Sequence, residues 1–473
     1  MTESNTNSVE VTMPDIEVAS PIDGAKLVVG STASAAEIEL ALTKAENAYK
    51  TWRRSSDKER ADLVLALADE LIKRKDDLAQ AMTRAIGRPA NQADETPRFR
   101  AVTKTQIEAL EGIGEEAYPS AADTRRFTRR GAQGVHLSIA PWNYPVGMLP
   151  WLIVTPILAG NTVILKHAAQ TAAIGRIVRE AYEAIGGPEG VLQVLELSHD
   201  QVDEIIKSER LKGVNFIGSV SGGLAIHRSA AGTLTHVHLE LGGKDPAYVR
   251  PDADLATAVA EIADGCFSNA GQSCCSVERI YLHADIAEQF IKLFKEEMSK
   301  YKLGNPNEEG TTVGPVVKRS AADYIRKQIA EAVAKGAVAY SQPGQDISSI
   351  EDKSCYVEPT LLTGVDNSML VMQEETFGPL ACVQVVHSDE EAIELMNDNQ
   401  YGLTAGIWTQ DIDAGLALVD QLDAGTVFIN RCDHADLYLP WGGQKMSGFG
   451  RGNGREGLLG VMDVKSFHVR TIA

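Results

Sequence analysis

From residue 35 to 52, and again from 57 to 86, apolar side chains return every three or four positions with a polar face opposite, a spacing that predicts amphipathic helices. The rhythm breaks over 118–130. There Pro119, Ser120 and a basic run of Arg125, Arg126, Arg129 and Arg130 read as an exposed hairpin between structured segments. From Val135 the pattern changes again. VHLSIAP, NTVILKHA, VLQVLEL and KGVNFIGS are short apolar runs that predict strands, with a helix over 174–185, closed by Gly186, Gly187 and Pro188, and another over 202–208. HVHLELGGKDPAYV predicts two more strands around a double glycine. Alternation resumes at Ala253. Helices are expected over 255–263, 285–301, 321–335, 389–397 and 412–422; ERIYLHA, the segment after EETFGP, GTVFIN and the closing VKSFHVR read as strands. Strands alternating with helices predict the α/β class, with mainly parallel sheets covered on both faces.

The most apolar window, 146–165, approaches the length that crosses a bilayer. Pro150, Pro156, Gly160 and Asn161 interrupt it, so a buried helix, a turn and a buried strand are expected instead. The first fifteen or so residues are polar, carry no secretory signature and read as a frayed tail.

The 473 residues exceed the roughly 250–300 that one core holds, so two or three domains are expected. A formal net charge of −20 argues against nucleic acid and against an anionic membrane surface as partners. The six cysteines (Cys266, Cys274, Cys275, Cys355, Cys382 and Cys432) are too scattered for a disulfide framework. There is no CxxC pair and no histidine cluster at metal spacing, so no metal site is expected. Free thiols fit a reducing, cytoplasmic compartment.

Three residues carry candidate chemistry. Cys274 follows Gly271, Gln272 and Ser273, a small polar turn that presents a thiol to a pocket. Glu240, at a strand end beside Gly242 and Gly243, is a candidate base. The amide of Asn143, held between Pro141 and Pro145, is a candidate oxyanion donor. NFIGSVSGG places Gly218 and Gly223 between a strand and a helix, a turn that suits a pyrophosphate although it lacks the GxGxxG spacing.

In this order, APWNYP, AGNTVILKHA, FIGSVSGG, LELGGKDP, NAGQSC and EETFGP, with PWGGQKMSGFGR closing the series, resemble the aldehyde dehydrogenase superfamily over most of the chain. The resemblance implies an NAD(P)-dependent oxidation of a small-molecule aldehyde to its acid through a cysteine thiohemiacetal and thioester. It makes Cys274 the nucleophile, Glu240 the general base, and Asn143 the oxyanion donor together with the Cys274 backbone N–H. Lys166 would hold the adenosine ribose, Ser219 a phosphate oxygen, Glu375 the nicotinamide ribose, and Phe377 would pack by the nicotinamide. Ile139, Trp142, Gly218 and Gly223 complete the implied cofactor set. Implied substrate contacts are Met148 and Leu152, with Leu149 beside them, and Cys432 and Trp441, with Asp433, His434 and Asp436 in the same loop.

The implied fold is a Rossmann-like cofactor domain (16–113 and 132–245), an α/β catalytic domain (246–432), a closing segment (433–455) and a β oligomerisation arm (114–131 and 456–473). A homodimer or homotetramer follows from such an arm. Two departures stand out. Ala169 occupies the place where the family carries a glutamate that repels a 2′-phosphate, so NAD is expected with NADP possible. Trp441 replaces a phenylalanine and would reshape the aldehyde tunnel. No basic residue stands out in the closing loop, which favours an uncharged aldehyde. The competing readings are a CoA-acylating enzyme, against which Glu240 weighs, and a non-enzymatic crystallin-like protein on the same fold.

Overall fold

The computed structural model describes residues 15–343, 345 and 347–472; most of the polar N-terminal tail lies outside them. Two sheets organise the chain. The first has the order Gly448–Phe449, His236–Glu240, Gly213–Ile217, Val135–Ile139, Thr162–Lys166, Leu192–Val194. All its neighbours are parallel except the Gly448–Phe449 edge, which runs antiparallel to His236–Glu240. Val135–Ile139 and Thr162–Lys166 are buried at every position. This is why they read as unbroken apolar runs: helices cover both faces of a parallel sheet.

The second sheet has seven strands in the order Val338–Ser341, Thr360–Thr363, Leu380–Val386, Val277–His283, Asp245–Val249, Thr404–Trp408, Thr426–Ile429. Only the first pair is antiparallel. The chain passes from the first sheet to the second through four residues, Leu241 to Lys244, between Glu240 and Asp245. A third, three-stranded sheet joins Glu116–Tyr118, Thr124–Ala132 and Met462–Arg470.

The expected hairpin is present, and its basic run lies on the Thr124–Ala132 strand, where Arg125 and Arg129 both pair with Glu115 and cover the Phe127 ring. Of the stretch 456–473, the first residues belong to the Gly454–Gly460 helix and the strand begins at Met462. The expected helix over 57–86 is two, Asp57–Lys73 and Lys75–Ile86. They break at Arg74, whose guanidinium turns back to Glu70 and across to Glu180. VLQVLEL yields only three strand residues, Leu192–Val194.

The 146–165 window is the interrupted unit expected of it: a wide helical turn over Pro150–Val154, a short helix over Thr155–Leu158, then the Thr162–Lys166 strand. Among the described residues no helix is long and apolar enough to cross a membrane. One long helix, Thr96–Glu111, has no counterpart in the apolar pattern. Its buried face mixes Phe99, Val102 and Leu110 with Thr103, Thr105 and Gln106, so polar residues mask the period.

Candidate active site

The thiol of Cys274 is delivered by a strained turn. After the Leu255–Phe267 helix, Asn269, Ala270 and Gly271 have φ of 50°, 56° and 69°. Left-handed backbone at two residues with a Cβ costs energy and persists only where the surroundings fix it. Here they do. The Gln272 side chain donates to the Asn269 carbonyl (3.1 Å) and accepts from the Val317 N–H (2.8 Å), while Asn269 Nδ2 donates to the Asn143 and Gln272 carbonyls. Gly271 cannot be anything larger, since a Cβ there would stand 2.1 Å from the Gly378 carbonyl oxygen. The result is one half-buried cysteine, Cys274, where the other five are buried.

Glu240 ends the His236–Glu240 strand and is buried. Its Oε1 accepts the Cys274 S–H at 3.3 Å and the Trp441 indole N–H at 3.0 Å. Burial raises its pKa, and the bonds from Trp441 and Cys274 act in the opposite sense. The Cys274 thiol is pushed well above its usual range by the neighbouring Cys275 thiol, burial and the Glu240 carboxylate. Asn143 Nδ2 donates to the Gln272 carbonyl at 3.2 Å, which leaves a second hydrogen on the same nitrogen.

These three residues stand at one end of a cavity of about 1310 Å³. It opens beyond the carboxyl ends of the first sheet's strands, with Ile139 and Lys166 on neighbouring strand ends and Gly218 just past a third. This is where the strand order reverses and where open α/β sheets take ligands. Trp142, Ser219, Glu375 and Phe377 also line it. Ser219 caps the Val220–Ala230 helix, whose N-terminal amides suit an anion. Lys166 Nζ donates to the His167 carbonyl at 3.0 Å.

Glu375 is seated by the backbone N–H of Gly243 (3.1 Å), and burial, then the Glu278 charge, pushes its carboxyl up to about 8. Beneath it a buried pair, Lys244 and Glu278 at 2.5 Å, fixes the turn. Glu278 also accepts the N–H groups of Thr376 and Phe377, holding Phe377 at a φ of 52°. A pyrophosphate-ready helix start, a lysine and a half-buried carboxylate in one cavity of this volume fit a dinucleotide with two riboses.

Gly223 is absent from the cavity wall. It faces Leu241, and a Cβ there would come within 2.5 Å of that side chain, so it serves the packing of helix on sheet. Of the implied substrate contacts, Met148 lines the cavity and the other three do not. Leu152 and Trp441 line a smaller cavity behind Glu240. Cys432 is buried in the second sheet's core, its thiol on the Glu261 carbonyl at 3.2 Å. Asp433, also offered as a contact, is half-buried. Its Oδ1 accepts from Ser273 Oγ and Cys275 Sγ at 2.8 and 2.9 Å, and burial raises its pKa to about 6. It buttresses the turn that carries Cys274. His434 pairs with Arg431, and Asp436 caps the N–H groups of Tyr438 and Leu439.

Two features escape the motifs. The bond from Trp441 to Glu240 joins residues about 200 positions apart and leaves no local trace. Ser198, His199 and Lys207 also line the cavity, from the start and body of a helix that carries no recognised motif, and Arg228 from beyond the motif that opens its helix.

The profile of the Aldehyde dehydrogenase family matches residues 9–467. The NAD(P)+ succinate semialdehyde dehydrogenase of Escherichia coli is 32% identical over 438 residues, covering 91% of this chain and 93% of that protein. The crystal structure of an E. coli NADP-dependent enzyme superposes with a TM-score of 0.92 at 30% identity, over 97% of this chain and 95% of that one. The betaine aldehyde dehydrogenase of Staphylococcus aureus, in complex with NAD+, gives 0.89 at 29% identity over 96% and 92%. The chain therefore belongs to the aldehyde dehydrogenase family and is an NAD(P)-dependent enzyme that oxidises an aldehyde to its carboxylic acid.

Proposed function

We propose that Cys274 is the nucleophile, Glu240 the base and Asn143 the oxyanion donor of a hydrolytic aldehyde dehydrogenase. The observation that carries this reading is the Cys274 S–H held 3.3 Å from Glu240 Oε1 at the wall of a dinucleotide-sized cavity. Because both pKa values are raised, the resting nucleophile is a thiol whose proton already points at its acceptor. As sulfur attacks the aldehyde carbon, that proton passes to Glu240. The second Asn143 N–H and the Cys274 backbone N–H stabilise the oxyanion. When bound, NAD(P)+ supplies the hydride acceptor; Lys166, Ser219, Glu375 and Phe377 would hold it. After Glu240 has lost its proton to solvent, it takes one from water as the hydroxyl adds to the Cys274 thioester, releasing the acid and the free thiol.

Residues 16–113 and 132–245 form the cofactor domain in this reading, and 246–432 the catalytic one. NAD is the expected cofactor and NADP is accepted, because Ala169 on the cavity wall offers no charge against a 2′-phosphate. An uncharged aldehyde is favoured: Tyr144 and Met148 line the wall near Cys274, while Arg98 and Arg431 are turned to Ala435 and His434 of the loop itself. The stacked Phe127 and Phe467 rings and the exposed Val464 and Val469 of the three-stranded sheet suit assembly into a homodimer or homotetramer, in the cytoplasm.

Rapid mixing with aldehyde and NAD+, without CoA, tests the roles. Glu240→Gln forms NADH more slowly, because the thiol has lost its proton acceptor, up to about one per active site, and then turns over at a steady rate lower by roughly 10²–10⁴-fold. Cys274→Ala gives no burst. Wild-type turnover by Glu240→Gln, where hydrolysis limits, refutes the base; activity of Cys274→Ala refutes the nucleophile.

A further inference from the structure

Glu240 stands in the wall between two cavities. The large one in front holds Cys274. The small one behind, about 40 Å³, is lined by Trp441, Trp151 and Arg451. Only one of the Glu240 carboxylate oxygens is tied: Oε1 takes both the Trp441 N–H and the Cys274 S–H, while Oε2 is buried and accepts no bond among the described residues.

We infer that Trp441 is a positioning residue for hydrolysis: its indole N–H fixes Oε1 and leaves Oε2 as the oxygen that takes the water's proton. The inference rests on Glu240 being the base. Trp441 is itself well held: 3% exposed, stacked on Trp151 at 6.3 Å and tied by reciprocal backbone bonds with Gly452 of 2.8 and 2.7 Å. The same closing segment pairs Gly448 with Glu240 through the backbone, so one stretch of chain grips the base at both main chain and carboxylate. A donor to a buried carboxylate favours its charged form, the form a base requires. The indole N–H is the first of the two influences that oppose burial at Glu240.

Trp441→Phe keeps the ring and removes the N–H. The NADH burst and the aldehyde KM are expected to persist. The acid limb of kcat, measured where hydrolysis limits, moves up by about one pH unit, so the rate falls roughly tenfold on that limb and recovers at higher pH. A fall by the same factor at every pH, or an unmoved limb, overturns the proposal and leaves Trp441 a packing residue. Glu240→Gln in the same assay separates the two ideas. If it hydrolyses the thioester at the wild-type rate, the base assignment fails. If it stalls while the Trp441→Phe limb is unmoved, only the positioning role fails. Should Trp441→Phe not fold, ultraviolet resonance Raman of the intact enzyme and Glu240→Ala reads the same bond. The indole N–H band moves towards its unbonded position in Glu240→Ala; no movement overturns the proposal.

Discussion

At the residue scale, the active site depends on which hydrogens are already committed. Asn143 illustrates it. One amide hydrogen is engaged by the Gln272 carbonyl, and that bond orients the group, so the other is presented without a reorganisation cost when charge develops on the substrate oxygen. Replacing Asn143 by Ala removes the donor and loosens the turn at once. The expected effect is a loss of roughly 10²–10³-fold in the rate of the NADH burst, because the donor acts on the oxyanion that precedes hydride loss. Stopped-flow measurement of the burst checks this. An unchanged burst rate with a slower steady state would instead place Asn143 in hydrolysis alone. Cys274, Glu240 and Asn143 are legible in the sequence because short motifs surround each of them. The role of Trp441 is not, because its bond is made across the fold between side chains whose local sequences say nothing of one another.

At the scale of elements, the parallel strands are the most legible part of the chain. Burial on both faces turns Val135–Ile139 and Thr162–Lys166 into apolar runs that need no partner to be recognised. The Thr96–Glu111 helix is hidden for the opposite reason: Gln106 is fully buried and bonds Asn453, so a core position carries a polar residue. Likewise Asp433 reads as part of a solvated loop, yet it is half-buried beneath the Cys274 turn, where Ser273 and Cys275 satisfy it. The stretch after Lys166 carries a prediction of its own. Ala169 opens a short 3₁₀ turn on the cavity wall, in the same stretch of chain as Lys166, and Lys207 and Arg228 line the same cavity. Ala169→Glu would put a carboxylate against a 2′-phosphate. Its kcat/KM with NADP is expected to fall roughly tenfold or more, while that with NAD holds or rises. Kinetics with the two cofactors on both proteins decide it. Equal losses with NAD and NADP would mean that Ala169 does not face the adenosine ribose.

At the scale of the whole molecule, the formal charge of −20 counts all 65 acidic side chains as ionised. Several are held above the usual carboxylate range, and their protons couple the site to stability. Burial holds the carboxyls of Glu375, Glu196 and Asp433 at about 8, 7 and 6. In the unfolded chain such groups release their protons near pH 4–4.5, to an approximation. Between that pH and their folded values the native state therefore binds more protons than the unfolded one, and stability falls as pH rises. Glu375 has the widest window of the three, from about 4.5 to about 8, and it lies on the cavity wall, where Glu278 adds a like charge. Glu375→Gln keeps the shape and cannot ionise. Its melting temperature in the absence of cofactor, relative to wild type, is expected to be higher at pH 8.5 than the same difference at pH 5, because only the wild type must ionise a half-buried carboxyl over that range. A difference that does not change with pH would show that Glu375 is already charged at pH 5. In the proposed reading Glu375 grips the nicotinamide ribose, so the NAD affinity of the same variant should fall even as its ligand-free stability at high pH rises. That opposition is the mark of a group held at a cost to the fold because the site requires it.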